Sequence, residues 1–180
     1  QSAIPRHQAR QTRSFDRPLN MPESAINEYR GRLAPIGRVG IVISSYHERI
    51  TAALLEGALA CCAEAGIGPG EIDVVWVAGA FELGSVAAAM ARQRDYQALI
   101  ALGVVIRGDT PHFDFVAGEA TRSLGGLAAE LGLPIGFGLL TVDTMAQAAE
   151  RAGGAAGNKG REAADAAIRA ADVIRRLGKP

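Results

Sequence analysis

The run Ala101–Asp114 (ALGVVIRGDTPHFD) places Arg107, Asp109, Thr110 and His112 within six residues, directly behind an apolar stretch. Gly108, followed by Asp109 and Thr110, offers backbone N–H groups and a hydroxyl that can face an anion. His112 adds an imidazole, the side chain whose ordinary titration range suits proton transfer near neutral pH. The preceding stretch, Leu99 to Ile106, reads as a strand buried on both faces. In an open parallel sheet the loops at the carboxyl ends of the strands converge on a crevice, and ligands bind there. Taken alone, the same residues also suit a polar loop with a structural histidine. The elements around them decide between the two readings.

From residue 38 onward, apolar strands and helical patterns alternate. Arg38–Ser45 is a β-branched run, and Thr51–Ala65 repeats Leu54, Leu55, Ala58, Leu59 and Cys62 at helical spacing. Ile72–Val77 is the second run and Phe81–Arg94 the second helix. Ala98–Ile106 is followed by a helix from about Phe113 to Leu131. Pro134–Leu140 is followed by a short helix, Met145–Ala152. A glycine-rich turn, Gly153 to Gly160, leads to a last helix, Arg161–Leu177, stopped by Gly178 and Pro180. Near-continuous apolar strands joined by helices predict an α/β fold, a four-stranded parallel sheet with helices on both faces. Glu28–Ala34 is expected to add a short strand before this body.

The chain has 180 residues, enough for one domain with its own core, and 48% are apolar with only 5% aromatic. Net charge is zero but unevenly spread. Residues 1–38 hold seven arginines (Arg6, Arg10, Arg13, Arg17, Arg30, Arg32, Arg38) against Asp16, Glu23 and Glu28, so the remainder is net acidic by four. That argues against a body that binds nucleic acid. Residues 1–27 read as a basic arm apart from a domain over 28–180. Pro5 can open a helix there and Pro18 must close it, with Arg6, Arg10, Arg13 and Arg17 on one face. No apolar stretch reaches membrane-spanning length and no leader is evident, so a cytoplasmic protein with no membrane partner is expected. Cys61 and Cys62 are adjacent inside an apolar helical pattern and read as buried thiols. No metal cluster or dinucleotide fingerprint stands out, and no cofactor is expected.

Four segments fall at the carboxyl ends of the four strands: Ser44–Glu48, Ala78–Glu82, Gly103–His112 and Phe137–Asp143. The signatures G-x-V-I-R-G-x-T-x-H-F-D (Gly103–Asp114), G-A-F-E (Gly79–Glu82) and N-K-G (Asn158–Gly160) stand in order along the chain. With Glu150–Gly153, they resemble the 6,7-dimethyl-8-ribityllumazine synthase family, which supplies the penultimate step of riboflavin synthesis. The resemblance covers Arg38 to Leu177. It implies a flavodoxin-like three-layer sandwich and a site between adjacent subunits. It also implies condensation of 5-amino-6-(D-ribitylamino)uracil with 3,4-dihydroxy-2-butanone 4-phosphate. An imine forms, phosphate is eliminated, and ring closure loses water.

The same resemblance suggests roles. Tyr46 takes the place of an aromatic that stacks on the pyrimidine, though a core tyrosine is the simpler alternative. Ala80, Phe81 and Glu82 match the segment that holds the ribityl chain, and Glu82 would also suit a first-turn helix acid. Val104, Val105 and Ile106 match backbone that reads the uracil edge. Asp109 (through its N–H) and Thr110 match the phosphate loop, with Arg151 pairing the phosphate from the neighbouring subunit. Phe137 resembles the neighbour's apolar wall, and Lys159 a lysine reaching across the interface, or simply a solvated one. His112 is the expected general acid and base, with positioning supplying much of the acceleration. Four positions depart from the family: Ala78 and Gly84 replace prolines that flank the ribityl loop, His47 an asparagine, and Tyr46 a phenylalanine or tryptophan. Loss of the prolines is expected to loosen that loop.

As for assembly, the resemblance implies rings of five subunits, and in many bacteria twelve rings close into an icosahedral shell. The turn from Arg151 to Lys159 carries no insertion, which favours the shell. The long arm and Ala155, at a position often polar, stand against it. Two other function classes compete: a non-catalytic shell or scaffold protein, and a flavin- or pyrimidine-binding module. Retention of Glu82, His112, Arg151 and Lys159 speaks against the first, and a binder needs no titratable His112.

Overall fold

The β-branched runs form the centre of the molecule. The computed structural model describes residues 26–178. Strands β1 (Val39–Ser44), β2 (Ile72–Val77), β3 (Ala98–Ile106) and β4 (Ile135–Val142) make one parallel sheet in the order β2-β1-β3-β4. All six residues of β1 are buried, as a strand covered on both faces requires. Helices α1 (Glu48–Glu64) and α5 (Lys159–Leu177), with the short α4 (Met145–Arg151), cover one face. Their core is built from Leu54, Ala58, Ala164 and Ile168 against Ile41, Ile43, Ile100 and Leu102. Helices α2 (Leu83–Gln93) and α3 (His112–Leu131) cover the other, where Leu83, Ala87, Ala120 and Leu124 meet Val42, Leu99 and Ala101. The result is the expected three-layer sandwich. The chain leaves β1 for β2 on one side and then crosses to β3 on the other, so a crevice opens between β1 and β3 at their carboxyl ends.

Alanine and glycine set the layer spacing. A Cβ on Gly160 would lie 2.0 Å from the carbonyl oxygen of Leu54, so α5 crosses α1 in backbone contact. Cys61 and Cys62 are both buried free thiols, and burial pushes Cys62 up to about 11.

Two expectations are corrected. Glu28–Ala34 forms no strand. It crosses α5 as an irregular segment, because α5 offers it polar anchors rather than a sheet edge. The buried carboxylate of Asp172 accepts from the Arg32 N–H (3.2 Å) and from Arg32 Nη2 (3.1 Å), while Arg169 and Arg176 donate to the carbonyls of Gly31 and Arg30. The stretch Gly153–Gly160 is not a plain turn. Strands β5 (Ala152–Gly154) and β6 (Gly157–Asn158) pair there antiparallel, and α5 already begins at Lys159. The basic face of Arg6, Arg10, Arg13 and Arg17 lies outside the described residues.

Candidate active site

A cleft of about 420 Å³ opens at the carboxyl ends of β1, β2 and β3. Tyr46 borders it after β1, Gly79, Ala80 and Phe81 after β2, and Val104, Val105 and Ile106 on β3. Gly108, Thr110 and His112 border it from the β3–α3 turn. β3 pairs with β4 through Ile106 but with β1 only through Leu102. Its last residues therefore turn towards the cleft a backbone edge that has no strand partner, as reading a heterocycle edge requires. Phe113 and Val116 complete the lining from the first turns of α3, although neither was expected. Val116 follows His112 at i+4, on the same helix face, which was the signal available in the sequence.

Local chemistry explains how these residues are held. The Ser45 N–H and hydroxyl both donate to the Val77 carbonyl, at 2.8 and 3.1 Å, tying the ends of β1 and β2 together. His47 then takes φ 59°, a left-handed conformation that opens α1. Among residues with a side chain, asparagine and histidine adopt that conformation more readily than most, so histidine suits this position. The turn presents Tyr46 to solvent at 66% exposure, its ring 4.5 Å from that of His47 in an edge-to-face contact. Tyr46 is thus no core tyrosine. Phe81, 58% exposed, stands across the cleft mouth. Glu82 points elsewhere: its carboxylate accepts from the Gly79 N–H at 2.9 Å and closes the one-turn 3₁₀ helix Ala80–Glu82. It borders the groove between α2 and α3 rather than the cleft. Asp109 is exposed on the β3–α3 turn and does not line the cleft either.

Phe137, Arg151 and Lys159 lie apart from the cleft. They share a separate hollow of about 230 Å³ along β4, an edge strand. Phe137 is 47% exposed there. Arg151 Nη1 donates to the Gln147 carbonyl at 3.1 Å, and Lys159 Nζ meets both oxygens of Glu162 at 2.8 and 2.7 Å. Within one chain, then, most of the expected residues divide into two groups on different parts of the sheet, with Glu82 and Asp109 in neither.

The sequence profile of the 6,7-dimethyl-8-ribityllumazine synthase family matches residues 37–175. The chain belongs to this family. A 6,7-dimethyl-8-ribityllumazine synthase of Protochlamydia amoebophila is 45% identical over 153 residues, 84% of this chain and 89% of its own length. One from an Anaeromyxobacter species is 45% identical over 155 residues, 86% of this chain and 95% of its own. The lumazine synthase signatures fall at the places just described. G-A-F-E forms the 3₁₀ turn after β2, and the long G-x-V-I-R-G signature runs from β3 into α3. N-K-G opens α5.

Within N-K-G, two residues have structural work and the third is an ion-paired lysine. The Asn158 oxygen accepts from the N–H groups of Gly160 (2.9 Å) and Arg161 (3.1 Å), capping α5. Gly160 is required by the contact with Leu54. Lys159 borders the β4 hollow with Phe137, its ammonium paired with Glu162. Among the described residues, no helix is long and apolar enough to cross a membrane, and no group of three His, Cys, Asp or Glu side chains is placed to hold a metal ion.

Proposed function

We propose that this lumazine synthase condenses 5-amino-6-(D-ribitylamino)uracil with 3,4-dihydroxy-2-butanone 4-phosphate. The products are 6,7-dimethyl-8-ribityllumazine, phosphate and water. The observation that carries this reading is the convergence of Tyr46, Val104–Ile106, Thr110 and His112 on one cleft at the switch point of the sheet. The Tyr46 ring supplies a flat face for the pyrimidine, and the free edge of Val104–Ile106 supplies donors and acceptors for its polar rim. Ala80 and Phe81 border the path of the ribityl chain. Glu82 shapes that path indirectly, its carboxylate fixing the Gly79 turn from outside the cleft. The N–H groups of Gly108 and Asp109, with the Thr110 hydroxyl, take the phosphate of the second substrate.

His112 stands beside that phosphate loop. It removes and returns the protons that imine formation, phosphate loss and ring closure each require. Two reactants held in one cleft react without a bimolecular encounter, which lowers the barrier further.

Phe137, Arg151 and Lys159 complete the site from a neighbouring subunit. Their separation from the cleft within one chain, on an exposed edge strand, supports this arrangement. A contact between different surfaces of successive copies generates a ring, here of five subunits. The tight β5–β6 hairpin, with no insertion between α4 and α5, supports closure of twelve rings into a shell. The catalytic domain begins at residue 28, and the enzyme works in the cytoplasm.

The test is lumazine formation from the two substrates by the purified protein, followed by absorbance. The wild type forms product, and His112→Ala is slower by about one to three orders of magnitude while keeping its assembly state. A wild type that binds the pyrimidine but makes no product would refute the enzymatic reading. An unchanged rate in His112→Ala would refute the role of the imidazole.

A further inference from the structure

We propose that Arg107 is a positioning residue that holds the His112 turn in register with the end of β4. Arg107 follows β3 directly and does not itself line the cleft. Its backbone N–H donates to the Val142 carbonyl at 2.9 Å. Its guanidinium reaches two further elements. Nε donates to Asp143 Oδ1 at 3.1 Å, just past β4, and Nη1 lies 3.5 Å from Asp114 Oδ1 in the first turn of α3. The same group covers the ring of Phe113, 4.1 Å from its centre. Phe113 adjoins His112 in the chain and lines the cleft beside it.

The segment this arrangement braces has little else to hold it. Among the described residues, no side-chain hydrogen bond fastens Gly108, Asp109 or Thr110, and a Cβ at Gly108 would meet nothing within 4 Å. The turn is fixed at its two ends, and Arg107 grips both. Exposed ion pairs of this kind add little stability, so geometry is the purpose of the contact. A planar guanidinium can point its edge at carboxylates while its flat side covers a ring; an ammonium cannot. The proposal rests on the reading of His112 as the proton-transfer group.

Arg107→Ala and Arg107→Lys are measured alone and in the His112→Ala background, with the melting temperature of each. Arg107→Ala is expected to lower kcat by about 10- to 100-fold, the cost of a misplacement near 1 Å, with little change in KM for the pyrimidine. Arg107→Lys recovers only part of the loss. In the His112→Ala background the same change costs little more, because its effect passes through the imidazole. Wild-type kcat in Arg107→Ala would overturn the proposal, as would an undiminished loss in the His112→Ala background. His112→Ala alone tests the underlying reading: a normal rate there removes the imidazole role whatever Arg107 does. Should Arg107→Ala fail to fold, Asp143→Ala removes one of the contacts, and a smaller loss confined to kcat is expected. A normal kcat in that variant would count against the proposal.

Discussion

The side-chain amide of Asn158 donates a 2.8 Å hydrogen bond to the backbone carbonyl of Ala53, joining the last residue of β6 to the second turn of α1. Its oxygen simultaneously caps α5. Asn158→Ala removes both and is expected to cost at least the usual 1–2 kcal/mol or so of a lost N-cap. Asn158→Asp keeps the acceptor and loses the donor, so it should fall between the two. Thermal unfolding ranks the three proteins, and an Asp variant as stable as wild type would show the Ala53 bond to be idle.

Gly84 has a packing role that proline or alanine would violate. A Cβ there would lie 2.1 Å from Ser123 Oγ and 2.6 Å from Ser123 Cβ, where α2 meets α3. Gly84→Ala is therefore expected to destabilise by about 1–3 kcal/mol, the cost of overpacking. Ser123→Gly in the same chain should restore most of it. Urea midpoints decide the matter, and a double variant no better than Gly84→Ala would contradict the pairing.

Asp172 makes stability depend on acid. The hydrogen bond from Arg32 holds this buried carboxyl well below the usual carboxylate range, helped by Arg175 at 2.9 Å. A group whose pKa falls on folding stabilises fully above its unfolded value, about 3.9 for aspartate, and loses that contribution as pH drops further. Asp172→Asn should therefore be less stable at neutral pH and show a shallower acid limb. Equal slopes in the two proteins below pH 4 or so would contradict the assignment.

The mass of the intact particle tests the assembly. Light scattering and electron microscopy should find closed shells of twelve five-membered rings. Isolated rings in every buffer would show that growth stops at the pentamer.

Much of this fold was legible in the sequence. Ile72–Val77 and Ala98–Ile106 coincide with β2 and β3 because short, largely apolar runs rich in valine and isoleucine leave little choice. The helix starts were less legible. The first begins at Glu48 rather than Thr51, because His47 caps it through a left-handed backbone rather than a side chain. The path of Glu28–Ala34 was not legible at all, since it depends on Asp172, some 140 positions later. At the site, His112 and the phosphate turn stood out by residue type, whereas Phe137, Arg151 and Lys159 were recognisable only through family likeness. The grip of Arg107 on Asp143 and Phe113 needed the sheet order, which brings the ends of β3 and β4 side by side.

The division of the site between subunits is most directly tested by mixing two impaired chains. His112→Ala subunits carry an intact β4 edge, and Arg151→Ala subunits carry an intact cleft. Dissociated, combined in equal amounts and reassembled, they should form rings in which roughly a quarter of the interfaces pair two intact halves. Measured with the butanone phosphate well below saturation, the mixture should regain roughly that share of wild-type activity, far above either variant alone. Activity no greater than the average of the separate variants would contradict a site built from His112 of one subunit and Arg151 of the next.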